Sequence, residues 1–110
     1  LIIISSFSKR AIEIIKHIPA GKVSSYGRIA ALAGNSKGAR LIVMLLNTHS
    51  RKENLPWQRI VNMNGQISLA KGDGFELQKS ILEAEGIEFD ENDRIDFDKY
   101  LWRPLEDDRG

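Results

Sequence analysis

Trp57 stands directly after Pro56 in the run Leu55-Pro56-Trp57-Gln58-Arg59-Ile60, a rigid entry into a turn with an aromatic ring at its start. Tyr26 follows the pair Ser24-Ser25, and Arg40 follows Gly38-Ala39. Residues of these types suit binding rather than covalent chemistry. Each also has an ordinary structural reading: a core anchor for Trp57, a core tyrosine for Tyr26, a solvated or ion-paired arginine for Arg40. Taken singly, they leave both readings open. The sequence contains no cysteine, which removes disulfides, thiolate metal sites and cysteine nucleophiles together. Two lone histidines are poor material for a metal site. No serine, histidine and acid set with supporting motifs is visible, which counts against a hydrolase or transferase built on another nucleophile.

The charges are sorted along the chain. Residues 1–72 carry 11 Lys and Arg against two Glu, net +9, whereas residues 73–110 carry 13 acids against five bases, net −8. A basic module of that kind attracts phosphates even in a protein whose total charge is only +1. The other reading is a solvated surface whose segregation has no role. The 110 residues suit one domain, expected over 1–110, with ordinary globular composition and no internal repeat. The apolar run Leu1 to Ile4 stops at Ser5, too short for a signal-peptide core or a membrane span, so a cytoplasmic location is expected. The chain begins without Met, and one or more residues are therefore expected upstream of Leu1.

Which elements would position the three residues? Phe7, Ala11, Ile14, Ile15 and Ile18 recur at helical spacing, and Pro19 with Gly21 ends the pattern, so a first helix is expected from Ser8 to His17. Ser24 or Ser25 caps a short second helix with Tyr26, Ile29, Ala30 and Ala33 on one stripe, closed by Gly34. Asn35 and Ser36 supply a turn and cap for a third helix, Lys37 to Leu46, and Thr48 to Asn54 reads as a polar loop. Helix, tight turn, helix over about 25–46 is helix-turn-helix spacing, although many bundles share it. Arg59 to Asn62 and Gln66 to Leu69 flank Met63-Asn64-Gly65, a hairpin signal that reads as a wing over about 59–69. Phe75, Gln78, Ile81 and Leu82 mark a last helical stripe ended by Gly86. An acidic tail over about 88–110 returns to Ile95, Phe97, Tyr100, Leu101 and Trp102, whose aromatics are expected against the first helix. The expected class is mainly α with a small β-hairpin wing, a winged helix-turn-helix-like DNA-binding domain.

In order, Pro19-Ala20-Gly21-Lys22-Val23, Ser25-Tyr26-Gly27, Ile29-Ala30, Ala33-Gly34, Ala39-Arg40, Pro56-Trp57-Gln58-Arg59-Ile60, Gly65 and Glu85-Gly86 resemble the C-terminal domain of the O6-alkylguanine-DNA alkyltransferases. The likeness runs from about Phe7 to Trp102. The enzymes carry Pro-Cys-His-Arg at the active site and accept the alkyl group on that cysteine. Trp57 stands at the matching position, the mark of the alkyltransferase-like proteins, which recognise O6-alkylguanine without repairing it.

The resemblance implies roles residue by residue. Arg40 matches the arginine that enters from the minor groove and fills the space of an extruded guanine; a planar guanidinium can stack there and hydrogen-bond the orphan base. Tyr26 matches the tyrosine that presses on the backbone beside the extruded nucleotide, and Ser25 and Ala39 are expected among the DNA-binding residues with Tyr26 and Arg40. Trp57 and Pro56 would line the lesion pocket, and Lys71 is the nearest candidate for a basic residue that contacts the base. Glu85 matches a carboxylate that in the enzymes orients the histidine beside the cysteine. Gln58 replaces that histidine, so the relay is broken and Glu85 is expected to be structural. The family's third helix usually follows its arginine with small residues, whereas Leu41, Ile42, Val43 and Met44 follow it here.

The expected function is a non-enzymatic sensor that binds O6-alkylguanine in duplex DNA by minor-groove entry and nucleotide flipping and flags it for nucleotide excision repair. The expected partners are that DNA and nucleotide excision repair proteins, with no membrane, no metal, no cofactor and a monomeric state. The rival is a winged-helix transcription regulator reading sequence in the major groove. The run Leu41 to Leu46 leaves it few side chains for base edges.

Overall fold

The computed structural model describes residues 5–104; the apolar opening run and the last part of the acidic tail, residues 105–110, lie outside the described residues. Ser5 caps the first helix, α1 (Ser6–Lys16), by accepting the Ser8 N–H, and Ala11, Ile12 and Ile15 form its buried face. After the turn at Gly21, the two-residue strand β1 (Ser24–Ser25) leads straight into α2 (Tyr26–Leu32). Ser25 is that helix's cap, its hydroxyl accepting the Arg28 N–H.

The third helix, α3 (Ala39–Glu53), starts later than expected and runs seven residues past Leu46. Gly38 precedes it because a Cβ there would stand 3.0 Å from the Phe7 ring and 3.1 Å from the Asn35 carbonyl. The stretch 48–53 is thus helix, not the expected loop. Its polar composition suggested a loop, but no Gly or Pro interrupts it before Pro56, and Thr48 satisfies its hydroxyl on the Met44 and Leu45 carbonyls without leaving the helix. Lys16 reaches Glu53 at 3.1 Å and ties the extension to α1. Asn54 ends it in the left-handed region, φ 53°, and Leu55 donates back to the Ser50 carbonyl.

The expected wing is also corrected. Strand β2 (Ile60–Val61) follows a 3-10 turn (Trp57–Arg59) and pairs in parallel with β1, Ser24 opposite Ile60 and Ser25 opposite Val61. The Asn62 to Gly65 turn exists, with Asn62 donating to the Gln66 carbonyl, but Gln66 to Leu69 forms no returning strand. Gln66 instead bridges antiparallel to Arg94, and Ile95 donates to the Gly65 carbonyl at 2.7 Å. A Cβ on Gly65 would lie 2.5 Å from the Ile95 oxygen, so this contact requires glycine.

Two apolar clusters meet at the small sheet. α1, α2 and α3 supply the first, joined by Leu55, Ile60 and Trp102. Val23, Val61, Ile67, Leu82, Ile87, Ile95 and Tyr100 form the second, covered by Phe75, Phe89 and Phe97. Ile60 and Val61 face opposite ways, as neighbours on a strand must, and so serve both. Of the late aromatics, Trp102 reaches the α1 cluster, whereas Phe97 and Tyr100 pack in the second, with α4 (Phe75–Ala84) and α5 (Phe97–Tyr100) beside them. The chain after Gly86 is therefore partly core: Val23 and Leu101 bridge in parallel, and Trp102 donates to the Val23 carbonyl at 2.8 Å. No helix among the described residues is long and apolar enough to cross a membrane.

Candidate nucleic-acid interface

α3 carries a different surface at each end. At its start, Gly38 offers no side chain to cap the first N–H groups, and the Arg40 side chain is exposed, with no hydrogen bond or ion pair to it among the described residues. Uncapped N–H groups and the positive end of the helix favour an anion such as a phosphate there. Ala39 is half-buried beside Arg40. Past them, Leu41, Val43 and Met44 are exposed apolar side chains, Met44 to 58%.

Toward its other end α3 forms one wall of an open cleft of about 980 Å³. Val43, Leu46, Asn47, Ser50 and Arg51 border it, spaced at three and four residues as one helix face requires. Tyr26 and Trp57 border it from α2 and the 3-10 turn, and Leu69 and Ser68 from the segment after the Asn62 turn. Two of the sequence-predicted residues thus share one cleft. The other candidates stand elsewhere. Pro56 fixes the approach to Trp57 without forming wall, and Ser25 is buried with its hydroxyl engaged by Arg28. Lys71 does not border the cleft: the connection through Gly72 and Gly74 carries it toward α4, where its ammonium sits 5.8 Å from the Phe75 ring centre. Ser50, Arg51, Asn54 and Gln78 border the cleft and went unread. The signal for the first three was the helical period, hidden by reading 48–54 as loop.

The floor of the cleft is held from behind. Gln78 is buried, and its side-chain amide donates to the Gln58 carbonyl at 2.9 Å and the Ile60 carbonyl at 3.1 Å, fixing the turn that carries Trp57. Arg59 grips Glu85 with two nitrogens at 2.9 and 3.0 Å and the Ile18 carbonyl with a third at 2.9 Å. Gln58 donates to the same Glu85 carboxylate at 2.9 Å. Burial alone would raise the Glu85 carboxyl, but the hydrogen bonds from Arg59 and Gln58, with the Arg59 charge, outweigh it and hold the carboxyl below the usual carboxylate range. Glu85 is a structural hub joining the ends of α1 and α4 to the turn. An amide at position 58 can donate and accept but cannot take up a proton near neutral pH.

Comparison with known proteins agrees with this architecture. Residues 6–87 match the family described as 6-O-methylguanine DNA methyltransferase, DNA binding domain. A protein of Vibrio parahaemolyticus named DNA base-flipping protein is 44% identical over 98 residues, 89% of this chain and 97% of its own length. Alkyltransferase-like protein 1 of Schizosaccharomyces pombe is 32% identical over 105 residues, 89% of this chain and 95% of its own. The crystal structure of S. pombe Atl1 in complex with damaged DNA containing O6-carboxymethylguanine superposes with a TM-score of 0.78 at 30% identity, covering 94% of this chain and 100% of that one. The chain belongs to the family of the 6-O-methylguanine DNA methyltransferase DNA-binding domain, alongside its alkyltransferase-like members.

Proposed function

We propose that this protein is a non-enzymatic sensor of O6-alkylguanine in duplex DNA that enters from the minor groove, flips the modified nucleotide and marks it for nucleotide excision repair. One observation carries the reading: a single helix presents an unengaged arginine at its start and, from Val43 onward, walls a cleft bordered by Tyr26 and Trp57. Arg40 fills the gap left in the stack, and the extruded base stacks on Trp57, an interaction worth roughly 1–3 kcal/mol. Tyr26 steers the backbone at the cleft entrance. With no cysteine anywhere in the sequence, the cleft holds no thiol to accept the alkyl group. The relative named for base flipping and the neighbour bound to alkylated DNA support the same reading. The sensor acts as a cytoplasmic monomer and hands the marked site to excision repair proteins.

The test is the affinity for a duplex with one O6-methylguanine against the same duplex with guanine. The sensor binds the alkylated duplex at least about tenfold more tightly, a difference of about 1.4 kcal/mol. Equal affinities would replace it with a winged-helix regulator.

A further inference from the structure

We infer that the cleft prefers O6 substituents that end in an anion, and that Arg51 supplies the preference. The inference rests on the lesion-sensor reading, which brings a substituted purine into this cleft. Arg51 is the one charged side chain among the described residues that border it. Nothing neutralises it: among the described residues no hydrogen bond or ion pair engages its guanidinium, Glu53 on the same helix is held by Lys16, and Glu85 is held by Arg59. Next to it, the Ser50 hydroxyl is buried without a hydrogen-bond partner and borders the same cleft. A buried orphan donor is costly unless a ligand or water completes it.

The rest of the wall divides by chemistry. Trp57, Leu46, Val43 and Leu69 offer apolar surface to a purine face and to methylene groups. Gln78 also borders the cleft, but its amide nitrogen is spent on two backbone carbonyls. The side chains of Asn47, Asn54 and Ser68 also border the cleft without a hydrogen bond among the described residues, but they are neutral, and the charge in the wall is on Arg51 alone. The carbonyls at the end of α3 oppose an anion with the equivalent of about half a negative charge, which the full charge of Arg51 exceeds. A neutral substituent can take only neutral hydrogen bonds from this wall, whereas a carboxylate gains charge-assisted hydrogen bonds from Arg51, roughly twice as strong.

Three duplexes differing at one base test this: O6-carboxymethylguanine, its neutral amide O6-carbamoylmethylguanine, and guanine. Because all three share the same phosphates, the ratio between the two adducts cancels the backbone contribution. The wild-type protein should bind the carboxymethyl duplex about tenfold more tightly than the amide duplex. Arg51→Gln should bring that ratio to about one, the carboxymethyl duplex losing more affinity than the amide duplex, and Lys52→Gln, which alters a basic residue outside the wall, should keep the ratio. A wild-type ratio near one, or a ratio that survives in Arg51→Gln, overturns the inference while leaving the sensor standing. Equal weakening of all three duplexes by Arg51→Gln also overturns it, making Arg51 a phosphate contact. If wild type binds neither adduct better than guanine, the sensor reading falls as well.

Discussion

Arg40 and Arg59 carry the same guanidinium in opposite circumstances. At the start of α3, Arg40 is exposed and unengaged, beside N–H groups that no side chain caps. At the base of the cleft, Arg59 spends three nitrogens on Glu85 and the Ile18 carbonyl, with its side chain only 19% exposed. A planar fork that is satisfied within the fold has nothing left for a ligand, so Arg59 holds the site together. One left open is available to a partner of complementary shape. The contrast separates an arginine that the fold uses from one that it leaves open, and mutation should separate them again: changes at Arg59 are expected to act on folding, changes at Arg40 on DNA binding.

The largest effect is expected at the closed end. Arg59→Ala leaves the partly buried Glu85 carboxylate with only Gln58 and uncouples the ends of α1 and α4, at a cost of about 3 kcal/mol in unfolding free energy, measurable by denaturant titration. A loss near zero would mean that Glu85 finds water in place of Arg59 and that the junction is not a support. At the open end, Arg40→Ala should leave stability within about 0.5 kcal/mol yet weaken binding to an alkylated duplex by about tenfold or more. Lys37→Ala, three residues earlier in the turn before α3 and also exposed, should cost only about twofold. Equal losses at the two positions would reduce Arg40 to one more phosphate contact and dissolve the comparison.

The smallest effect is a pH dependence of the closed end. The Glu85 carboxyl is held below its ordinary value in the folded state, so its contribution is present above the unfolded value of 4.5 and is lost as pH falls through the lower folded value. Wild type should therefore exceed Glu85→Gln in thermal midpoint at pH 7, and the gap should narrow below about pH 4.5. A gap independent of pH would show that packing, not the ion pair, accounts for the loss.

Legibility from sequence followed the range of the interactions. α1, α2 and α4 were readable because an apolar stripe ends in local punctuation: Pro19, Gly34 and Gly86 stop each pattern within the chain's own neighbourhood. The Asn62 to Gly65 turn was readable for the same reason, yet the partner of the chain beyond it was not. Gln66 pairs with Arg94, and β2 with β1, contacts made by residues 28 and 36 positions apart that no turn chemistry reports. The second half of α3 was lost because polar residues read as loop, although what they lack is a breaker. That loss also hid the cleft wall at Ser50, Arg51 and Asn54. Tyr26, Arg40 and Trp57 were singled out by the ordered resemblance, since each residue alone reads equally well as structure. Lys71 shows how far that route reaches: the resemblance names it, and in the structure it stands beside Phe75 rather than on the cleft wall.

Extrusion of the base is the central claim, and fluorescence tests it most directly. A duplex carrying pyrrolocytosine opposite one O6-methylguanine brightens when that pair is broken and its stacking lost. Wild type should raise the emission at saturating protein, and Arg40→Ala, at concentrations that saturate the same duplex, should raise it less, because nothing then fills the vacated place in the stack. Saturation by wild type without any rise in emission would contradict the account, since the lesion would then be read inside an intact duplex.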